Sequence, residues 1–440
     1  MPIPPKPTLI GKQAYETDDW TNVPSNILGY LPRRLHLQPS HPISIAREVI
    51  ESSFPEPEYT HYNGLDPIVS VYENFDSLGF PADHPGRSKT DTYYLNRNTV
   101  LRTHTSAHEA HIFKTNKSGG FTISADVYRR DAIDRSHYPV FHQMEGARVW
   151  DRRKVADGNI VQAVLKDLKG LKSHNLDVSD PNPTIHPERN PLQAKYHTKE
   201  EAEAIAAHLK RSLELMVVEL LTRAPKDQSS GLVASENPRV RWVEAYFPFV
   251  SPGWELEVFW QGDWVEILGC GVTTQEIHNN NGMSHQLGWA FGLGLERLAM
   301  MLFSIPDIRL FWSEDSRFLN QFSNVNDLKK FVPFSKCPAC YKDVSFWLRS
   351  STSAAGGGLK SSKDDFHEND FMEIVRNVGG DLVEDVKLID EFTHPVSGRR
   401  SLCYRVNYRS LERTLRNEEA DQLHEQVREQ LVKQFGVELR

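Results

Sequence analysis

The sequence has few cysteines and no long apolar run. Its 440 residues include four cysteines, Cys270, Cys337, Cys340 and Cys403. That is too few for a disulfide scaffold in a chain of this length, which favours a reducing compartment. No apolar segment approaches the roughly 20 residues that a membrane-spanning helix needs, so we expect a soluble protein with no membrane partner. The net charge of −8 provides no general attraction for nucleic acid, and nucleic-acid binding would need a local basic patch.

Several catalytic and nucleotide-binding patterns are also missing. There is no G-x-x-x-x-G-K-[ST] phosphate loop, and Gly292-Leu-Gly294 is too short for a dinucleotide-binding motif. No Ser-His-Asp or Cys-His arrangement stands out. Cys337-Pro-Ala-Cys340 is a lone C-x-x-C, and His108-Glu-Ala-His111 does not match the zinc motif H-E-x-x-H. If a nucleotide binds, arginines and aromatic residues must hold it.

Two segments supply such residues. Asp126 to Gly146 has the pattern of a strand, a polar loop and a second strand, with Arg129 just before the loop. Gly288 to Met300 has the pattern of a glycine-rich strand running into an apolar helix, with Arg297 in its first turn. Either arginine alone would usually be a surface salt bridge. Together they place two guanidinium groups on separate elements, each able to bind phosphate oxygens through two nitrogens.

The chain divides into four parts by composition, and the density of strands predicts an α+β fold. The last part has the order β-α-β-β-α-β, which is ferredoxin-like. The connector before it has few regularly spaced apolar residues, so we expect no rigid element there. A fused domain joined in this way, with a modest interface, should reorient when it binds a partner. The parts are a proline-rich, weakly structured N-terminal extension (1–40), an antiparallel-sheet body (41–320), a linker (321–335) and the ferredoxin-like domain (336–440).

Local patterns predict several elements within these parts. A helix from Thr198 to Thr222 should begin with a capping box formed by Thr198 and Glu201. A last helix should open near Asn417 and end at Gly436. Residues 350–363 form a Ser/Gly/Lys-rich insertion. Strands are expected at Val240–Val250, Glu255–Trp260 and Trp264–Cys270.

The two arginine segments, together with several further motifs, resemble the class II aminoacyl-tRNA synthetases, and specifically the single-chain organellar phenylalanyl-tRNA synthetases. The further motifs are Asn74–Pro85, Leu101–His108, Tyr246–Val250, Ile305–Phe311, Val378–Glu384 and Tyr408–Leu415. The resemblance implies a class II catalytic domain followed by a ferredoxin-like anticodon-binding domain. It also implies ATP-dependent attachment of phenylalanine to tRNA(Phe) through a phenylalanyl-adenylate, with Mg²⁺, by a monomer in the mitochondrial matrix. The N-terminus shows no transit-peptide pattern, so such a peptide would be absent from this chain.

The missing nucleophile patterns agree with that chemistry. The carboxylate of an amino acid is already ionised at neutral pH, so adenylate formation needs no protein nucleophile or general base. It needs alignment of the carboxylate with the α-phosphate, and positive charge where the phosphoryl oxygens crowd together.

The resemblance assigns the ATP site. Arg129 would contact the α-phosphate and Arg297 the far end of ATP, and these two would be the catalytic residues. Phe141 would stack on the adenine, and Glu266 would lie near ATP and bind Mg²⁺. Asp131 stands where many class II enzymes have glutamate. The full set is Arg129, Asp131, Ser136, His137, Tyr138, Phe141, Glu266 and Arg297.

The residues also favour an amino-acid pocket. In an extended strand Phe247 and Phe249 share a face and could pack edge-to-face on a substrate ring, although ordinary core packing explains the pair equally well. Gln143 and Glu145 share a face and could accept hydrogen bonds from an ammonium group. By resemblance the phenylalanine site comprises His104, Ser106, Ala107, His108, Glu109, Gln143, Met144, Glu145, Phe247, Phe249, Ala290 and Phe291.

A basic stretch from Arg399 to Arg416 is the candidate surface for tRNA, with Arg399, Arg400, Arg405 and Arg409 as phosphate contacts. A solvated charged face explains the stretch equally well when it is taken alone. Two other functions remain open at this point. One is a ligase that passes its adenylate to something other than tRNA, and the other is an inactive RNA-binding protein on a synthetase scaffold.

Overall fold

The structure is a computed structural model that describes residues 7–155, 158–224, 238–260, 262–323, 328–334, 337–349 and 366–440. The insertion predicted at 350–363 lies outside these residues. Within them, no helix combines the length and the apolar character needed to cross a bilayer. The helices are α1 (Ser25–Tyr30), α2 (Pro42–Glu51), α3 (Val71–Asn74), α4 (Glu109–Thr115), α5 (Ile160–Gly170), α6 (Lys199–Arg223), α7 (Gln275–Asn280), α8 (Leu295–Phe303), α9 (Ser316–Leu319), α10 (Glu368–Gly379) and α11 (Asn417–Phe435).

The strands form a large sheet in the first domain, a small sheet in the second, and two minor sheets. They are β1 (Thr8–Ile10), β2 (Gln13–Tyr15), β3 (Tyr59–Tyr62), β4 (Ile68–Ser70), β5 (Tyr94–Asn96), β6 (Thr99–Leu101), β7 (Gly120–Tyr128), β8 (Val140–Asp151), β9 (Asp177–Ser179), β10 (Arg239–Glu244), β11 (Val250–Trp260), β12 (Asp263–Thr273), β13 (Gln286–Gly294), β14 (Cys340–Trp347), β15 (Val383–Thr393), β16 (Arg400–Tyr408) and β17 (Glu438–Leu439).

The large sheet has the strand order β3-β7-β8-β13-β12-β11-β10-β9. Its neighbours are antiparallel except for the outer pairs β3–β7 and β9–β10, which are parallel. Helix α6 packs on β12 and β13. It begins at the predicted capping box of Thr198 and Glu201 and buries Leu209, Leu213 and Met216. The predicted strand–loop–strand around Arg129 and the strand-to-helix step before Arg297 are both confirmed.

A buried ion pair fixes the end of β7, next to the strand–loop–strand. Arg102 and Asp126 lie 2.6 Å apart with their side chains almost fully buried. Arg102 also donates to the carbonyl oxygens of Leu65, Asp66 and Asp126. A buried charge needs several partners to offset its lost hydration, and Arg102 finds them on two other chain segments. Its contacts therefore hold the three segments together beneath the polar loop.

The second domain has the order β14-α10-β15-β16-α11-β17 and the antiparallel sheet order β15-β16-β14-β17. This confirms the predicted ferredoxin-like arrangement. The domain has its own apolar core, which includes Phe346, Phe371 and Tyr404. Helix α11 opens at Asn417 and ends with Gly436 in the left-handed conformation at φ 59°, as its sequence predicts.

Two local predictions are wrong. Residues 7–40 do not form a weakly structured arm, because they contain the β1–β2 hairpin and α1 and bury Ile27, Leu31 and Leu35 in the core of the first domain. The spacing of these three apolar residues was the available signal. The strand expected over Val240–Val250 ends at Glu244, and residues 245–249 turn before β11 begins.

Candidate active site

A cavity of about 630 Å³ opens where the β7–β8 loop, β12, β13, α8 and the 245–249 turn meet. Its walls include most of the residues predicted for the two substrate sites. Those lining the cavity are His104, Ser106, Glu109, Arg129, Asp131, Ser136, His137, Tyr138, Phe141, Gln143, Glu145, Phe247, Phe249, Glu266, Ala290, Phe291 and Arg297.

Three residues predicted for the phenylalanine site do not line the cavity. Met144 is fully buried in the core, because successive residues of β8 point to opposite faces of the sheet. His108 has its Nε2 2.9 Å from Nη1 of Arg102, and Ala107 packs in a small separate apolar cluster.

Arg129 places a positive charge in the wall of the cavity. Its Nε donates to the carbonyl oxygen of Thr103 at 2.6 Å, and its guanidinium carbon lies 5.2 Å from the centre of the Phe141 ring. Burial lowers the pKa of Arg129, while Asp131 and Glu145 raise it. An arginine remains cationic under these influences, so the wall of the cavity contains a half-buried, fixed cation.

Arg297 lies in the first turn of α8, and its side chain is more exposed than that of Arg129. Its Nη1 is 3.4 Å from a carboxylate oxygen of Glu266 on β12. The preceding residue, Glu296, accepts from the backbone amide of His142 at 2.7 Å and lies 2.6 Å from its Nδ1. These contacts join α8 to β8, so the positions of Arg297 and Phe141 are fixed relative to each other.

The polar loop between β7 and β8 is held by the second domain. The guanidinium of Arg376 donates a hydrogen bond to the carbonyl oxygen of Asp131. The backbone amide of Val386 donates to the carbonyl oxygen of Ile133 at 3.0 Å. The hydroxyl of Tyr138 donates to Asp381 at 2.5 Å. The contacts between the two domains therefore include this loop. The connector pattern describes only the link between the domains, whereas these three contacts are made by residues far from it in sequence.

Two carboxyl groups and an amide lie at the amino-acid end of the cavity. Ser106 Oγ donates to Oε1 of Glu145 at 2.5 Å, and the backbone amide of Thr105 donates to Oε1 of Gln143 at 3.3 Å. Burial raises the pKa of Glu145 to about 7 and that of Glu109 well above its ordinary value, and for Glu109 the neighbouring Glu145 adds to the rise.

Aromatic rings close the rest of this end. Phe80 stacks on His104 with 5.6 Å between ring centres and lies 5.5 Å from Phe249. Burial lowers the pKa of His104 to about 3, so its ring is neutral at physiological pH. Phe80 was missed as a site residue, although it belongs to the Asn74–Pro85 motif that the sequence singles out. Phe247 and Phe249 reach the cavity from a turn and not from the expected strand.

Glycines leave room for two of these rings. A Cβ on Gly269 would lie 2.5 Å from the Phe247 ring, and one on Gly146 would lie 2.3 Å from the Phe291 ring. Both distances are shorter than any real contact of this kind. The sheet therefore needs glycine at these points for the rings to reach their positions, which the sequence pattern did not reveal.

The four arginines proposed to contact tRNA each have a carboxylate partner. The partners of Arg399, Arg400, Arg405 and Arg409 are Glu438, Glu391, Asp343 and Glu384, respectively. The first three pairs lie on the outer surface of the second domain. The Arg409 pair is different, because Glu384 is almost fully buried and also binds Arg135 of the first domain.

An aromatic cluster lies beside the outer pairs. Trp347 is 5.9 Å from Phe392 and 6.1 Å from His394 between ring centres. The guanidinium carbon of Arg399 lies 5.4 Å from the Trp347 ring. Phe392 is 40% exposed, so a flat aromatic group from outside can reach the cluster.

Comparison with known proteins agrees with this architecture. Residues 28–179 and 229–322 match the family of tRNA synthetases class II core domain (F), and residues 335–440 match the ferredoxin-fold anticodon binding domain. The mitochondrial phenylalanine–tRNA ligase of Saccharomyces cerevisiae is 46% identical over 97% of this chain and 93% of its own length. The mitochondrial enzyme of Mus musculus is 42% identical over 98% and 88%, and the chloroplastic/mitochondrial enzyme of Arabidopsis thaliana is 42% identical over 97% and 84%.

The fold, the two-arginine cavity and the family matches define a class II aminoacyl-tRNA synthetase with a fused anticodon-binding domain. The chain belongs to the phenylalanine–tRNA ligase family. It is a ligase that uses ATP to attach phenylalanine to tRNA(Phe).

Proposed function

We propose that the cavity catalyses both steps of phenylalanylation for mitochondrial protein synthesis, first forming phenylalanyl-adenylate and then transferring the phenylalanyl group to tRNA(Phe). The observation that carries the proposal is the placement of Arg129 in the wall of one cavity, close enough to interact with both Asp131 of the polar loop and Glu145 of the amino-acid end. The carboxylate of the amino acid attacks the α-phosphate, and pyrophosphate leaves. Arg129 stabilises the negative charge that develops between the two substrates.

Phe141 and Arg297 hold the nucleotide in this proposal. The Phe141 ring, already packed against Arg129, offers its face to the adenine, and Arg297 binds the far phosphates. Arg297 is half exposed and its contact with Glu266 is long, so its guanidinium can turn towards a triphosphate. Ser136, His137, Tyr138 and Asp131 line the nucleotide end of the cavity.

Glu266 fits a supporting role for Mg²⁺. Among the described residues, no cluster of three or more His, Cys, Asp or Glu side chains could hold a metal ion by itself. Mg²⁺ that arrives with ATP needs only one or two protein carboxylates, because phosphates and water supply the other ligands. Glu266 on the cavity rim meets that need, and the ion would neutralise phosphate charge when bound.

The aromatic end selects the side chain of phenylalanine. Phe247, Phe249 and Phe291 surround the space for the ring, and Ala290 closes it. Gln143 and Glu145 accept hydrogen bonds from the substrate ammonium. An apolar pocket alone rejects an added hydroxyl only about a hundredfold, so discrimination against tyrosine relies on the steric limit that Ala290 sets.

We further propose that the second domain binds the anticodon through its outer arginines and the aromatic cluster of Trp347, Phe392 and His394. Unpaired bases stack on exposed aromatic rings, and arginines contact the adjoining phosphates. The parts we propose are an N-terminal extension (1–40), the catalytic domain (41–320), a linker (321–335) and the anticodon-binding domain (336–440), with residues 7–40 packed on the catalytic domain. Both activities reside in one chain, which supports a monomer, and the mitochondrial relatives support a place in the mitochondrial matrix.

Aminoacylation of a tRNA(Phe) transcript with radiolabelled phenylalanine tests the proposal. Charging should require ATP and Mg²⁺, should leave a tRNA for another amino acid uncharged, and should come from a species of the mass of one chain in light scattering. Adenylate formation without any transfer to tRNA would contradict the proposed second step.

A further inference from the structure

Two buried carboxyl groups share the amino-acid end of the cavity. Glu109 on α4 is 5% exposed and Glu145 on β8 is 8% exposed, and both line the cavity. Ser106 donates to one oxygen of Glu145, and the other oxygen, Oε2, has no hydrogen-bond partner among the described residues. A buried carboxylate oxygen without a donor is costly, and the residue that carries this one lines a cavity that a ligand can enter.

The surroundings provide little positive charge to balance two carboxylates. Arg129 is the cation whose charge reaches Glu145, and Asp131 also acts on that guanidinium. His104 lines the same end, and His108 lies behind it. Burial lowers the pKa of both histidines to about 3, so both are neutral. Thr105, Ser106 and Gln143 contribute hydrogen bonds but no charge.

Two carboxyl groups buried together cannot both be ionised at low cost. Each negative charge opposes the other, and neither is well hydrated, so the two groups titrate as a unit. The pKa shifts of the two residues agree with this behaviour. Burial raises the pKa of both carboxyl groups, and the neighbouring Glu145 raises the pKa of Glu109 further.

We infer that Glu109 and Glu145 hold one proton between them in the empty site and release it to solvent when the ammonium group of the amino acid enters. The inference rests on the proposed phenylalanine site and adds that phenylalanine binding is linked to proton release. The ammonium group supplies the donor that Glu145 Oε2 lacks and places a positive charge against the pair. No bond other than the carboxyl O–H breaks, and the substrate stays zwitterionic.

The substrate carboxylate works against this release but acts from farther away. It points towards Arg129 and the nucleotide end, whereas the ammonium contacts the pair directly. A ligand with an ammonium and no carboxylate should therefore release at least as much proton as phenylalanine. A ligand with a carboxylate and no ammonium should release none.

Isothermal titration calorimetry of the whole chain, without ATP, measures the linkage directly. L-Phenylalanine is titrated near neutral pH in phosphate and in Tris, whose ionisation enthalpies differ. We expect the heats to differ between buffers by an amount that corresponds to release of about one proton, and the binding constant to rise with pH by up to about tenfold per unit around neutrality. Phenylalaninol should behave in the same way, and hydrocinnamate should show no release.

The matched variant is Glu109→Gln, which keeps the size of the side chain and cannot hold a negative charge. Burial raises the pKa of Glu145 only to about 7, so near pH 8 Glu145 alone is largely ionised, whereas the pair still holds its proton on Glu109. Near pH 8 phenylalanine should therefore release clearly fewer protons from Glu109→Gln than from the parent chain. Equal release from the two proteins at this pH would place the proton elsewhere and overturn the inference. If that variant does not fold, the contrast between phenylalaninol and hydrocinnamate in the parent chain decides the matter.

Failure of the inference differs from failure of the proposed function. Phenylalanine binding with no net proton exchange in the parent chain contradicts the shared proton and leaves the synthetase function intact. Absence of phenylalanine binding, together with absence of phenylalanine-dependent pyrophosphate exchange, contradicts the proposed site itself.

Discussion

The backbone amide of Val386 donates a 3.0 Å hydrogen bond to the carbonyl oxygen of Ile133. Val386 lies in the anticodon-binding domain and Ile133 in the loop that we assign to ATP. The contact is one of several, since Arg376 binds the carbonyl of Asp131 and Asp381 accepts from Tyr138. The domain named for the anticodon therefore also helps to position the nucleotide loop.

Weakening that support should impair ATP use. Arg376 uses two nitrogens of its planar guanidinium to bind the Asp131 carbonyl and Glu373. In Arg376→Lys the hydrogen bond to the Asp131 carbonyl is lost, because the single ammonium group of lysine cannot bind both partners. A hydrogen bond to a charged group contributes about 1.5–3 kcal/mol, so we expect the KM for ATP to rise roughly tenfold or more. Pyrophosphate exchange at varied ATP measures this, while the KM for phenylalanine should change little.

Arg428→Lys is the control for that experiment. Like Arg376, Arg428 pairs with a glutamate three residues before it on a helix, but it lies on the exposed face of α11. Equal KM values for ATP in both variants would contradict a role for the interface in holding the loop.

Changing Ala290 to glycine should relax amino-acid selection. Ala290 lines the cavity beside Phe291, and removing its methyl group opens space where a para substituent would press. A contact of one methyl group in a pocket contributes about 1–3 kcal/mol, so the ratio of kcat/KM for phenylalanine over tyrosine should fall about fivefold or more. Ala147→Gly provides the control, since Ala147 is the cross-strand partner of Ala290 on β8 and does not line the cavity. Unchanged discrimination in Ala290→Gly would show that this methyl does not limit the pocket.

The buried pair of Arg102 and Asp126 predicts a large effect on stability. Asp126→Asn leaves Arg102 buried without a carboxylate, which should lower the free energy of unfolding by about 3–5 kcal/mol. In Asp343→Asn, which breaks an exposed pair with Arg405, the loss should be about 1 kcal/mol or less. Urea unfolding followed by circular dichroism compares the variants, and equal losses would contradict the assigned difference in burial.

The pair of Arg102 and Asp126 also makes the stability of the folded chain depend on pH. Burial raises the pKa of Asp126, but Arg102, His142 and Tyr128 together lower it below its ordinary value. A carboxyl whose folded pKa is depressed contributes stability that is present above its unfolded pKa and is lost as pH falls through the folded value. The difference in stability between the parent and Asp126→Asn should therefore shrink in acid. A difference that stays constant with falling pH would show that Asp126 is not ionised in the folded chain.

Trp347→Ala tests the aromatic cluster. Stacking of one base on an aromatic side chain contributes about 1–3 kcal/mol of binding free energy. Without the Trp347 ring, the KM for tRNA(Phe) in the charging reaction should therefore rise about fivefold or more. Phenylalanine-dependent pyrophosphate exchange without tRNA should not change. Trp264→Ala removes a tryptophan from the surface of the first domain, where it packs on Phe259 and Arg241, and should leave the KM for tRNA unchanged. If both variants charge tRNA equally well, the cluster does not contact it.

Much of the fold and site follows from local sequence. The capping box at Thr198, the left-handed Gly436 and the strand-to-helix step before Arg297 are encoded within a few residues, and each was predictable. Phe247 and Phe249 were identified from their motif, although their backbone is a turn. The strand prediction failed there because alternation of apolar residues does not distinguish a strand from a turn that contains Pro248.

Other features depend on contacts between distant segments. The hydrogen bond from Arg376 to Asp131 joins residues that no local pattern connects, and the same is true of the packing of Ile27 on the core. The resemblance placed Met144 in the pocket together with Gln143 and Glu145, yet the alternation of a strand turns its side chain into the core. The need for glycine at 146 and 269 appears only when the rings of Phe291 and Phe247 are located.

Pyrophosphate exchange with each of the twenty amino acids, in the parent chain and in Arg129→Ala, tests the central claim most directly. We predict exchange that phenylalanine drives, and a loss of a hundredfold or more in Arg129→Ala, since one preorganised charge contact is worth about 3–4 kcal/mol. Arg153→Ala, in which an exposed arginine is removed, should exchange normally. Exchange driven by another amino acid, or near-normal phenylalanine exchange in a folded Arg129→Ala protein, would contradict the assignment of this cavity.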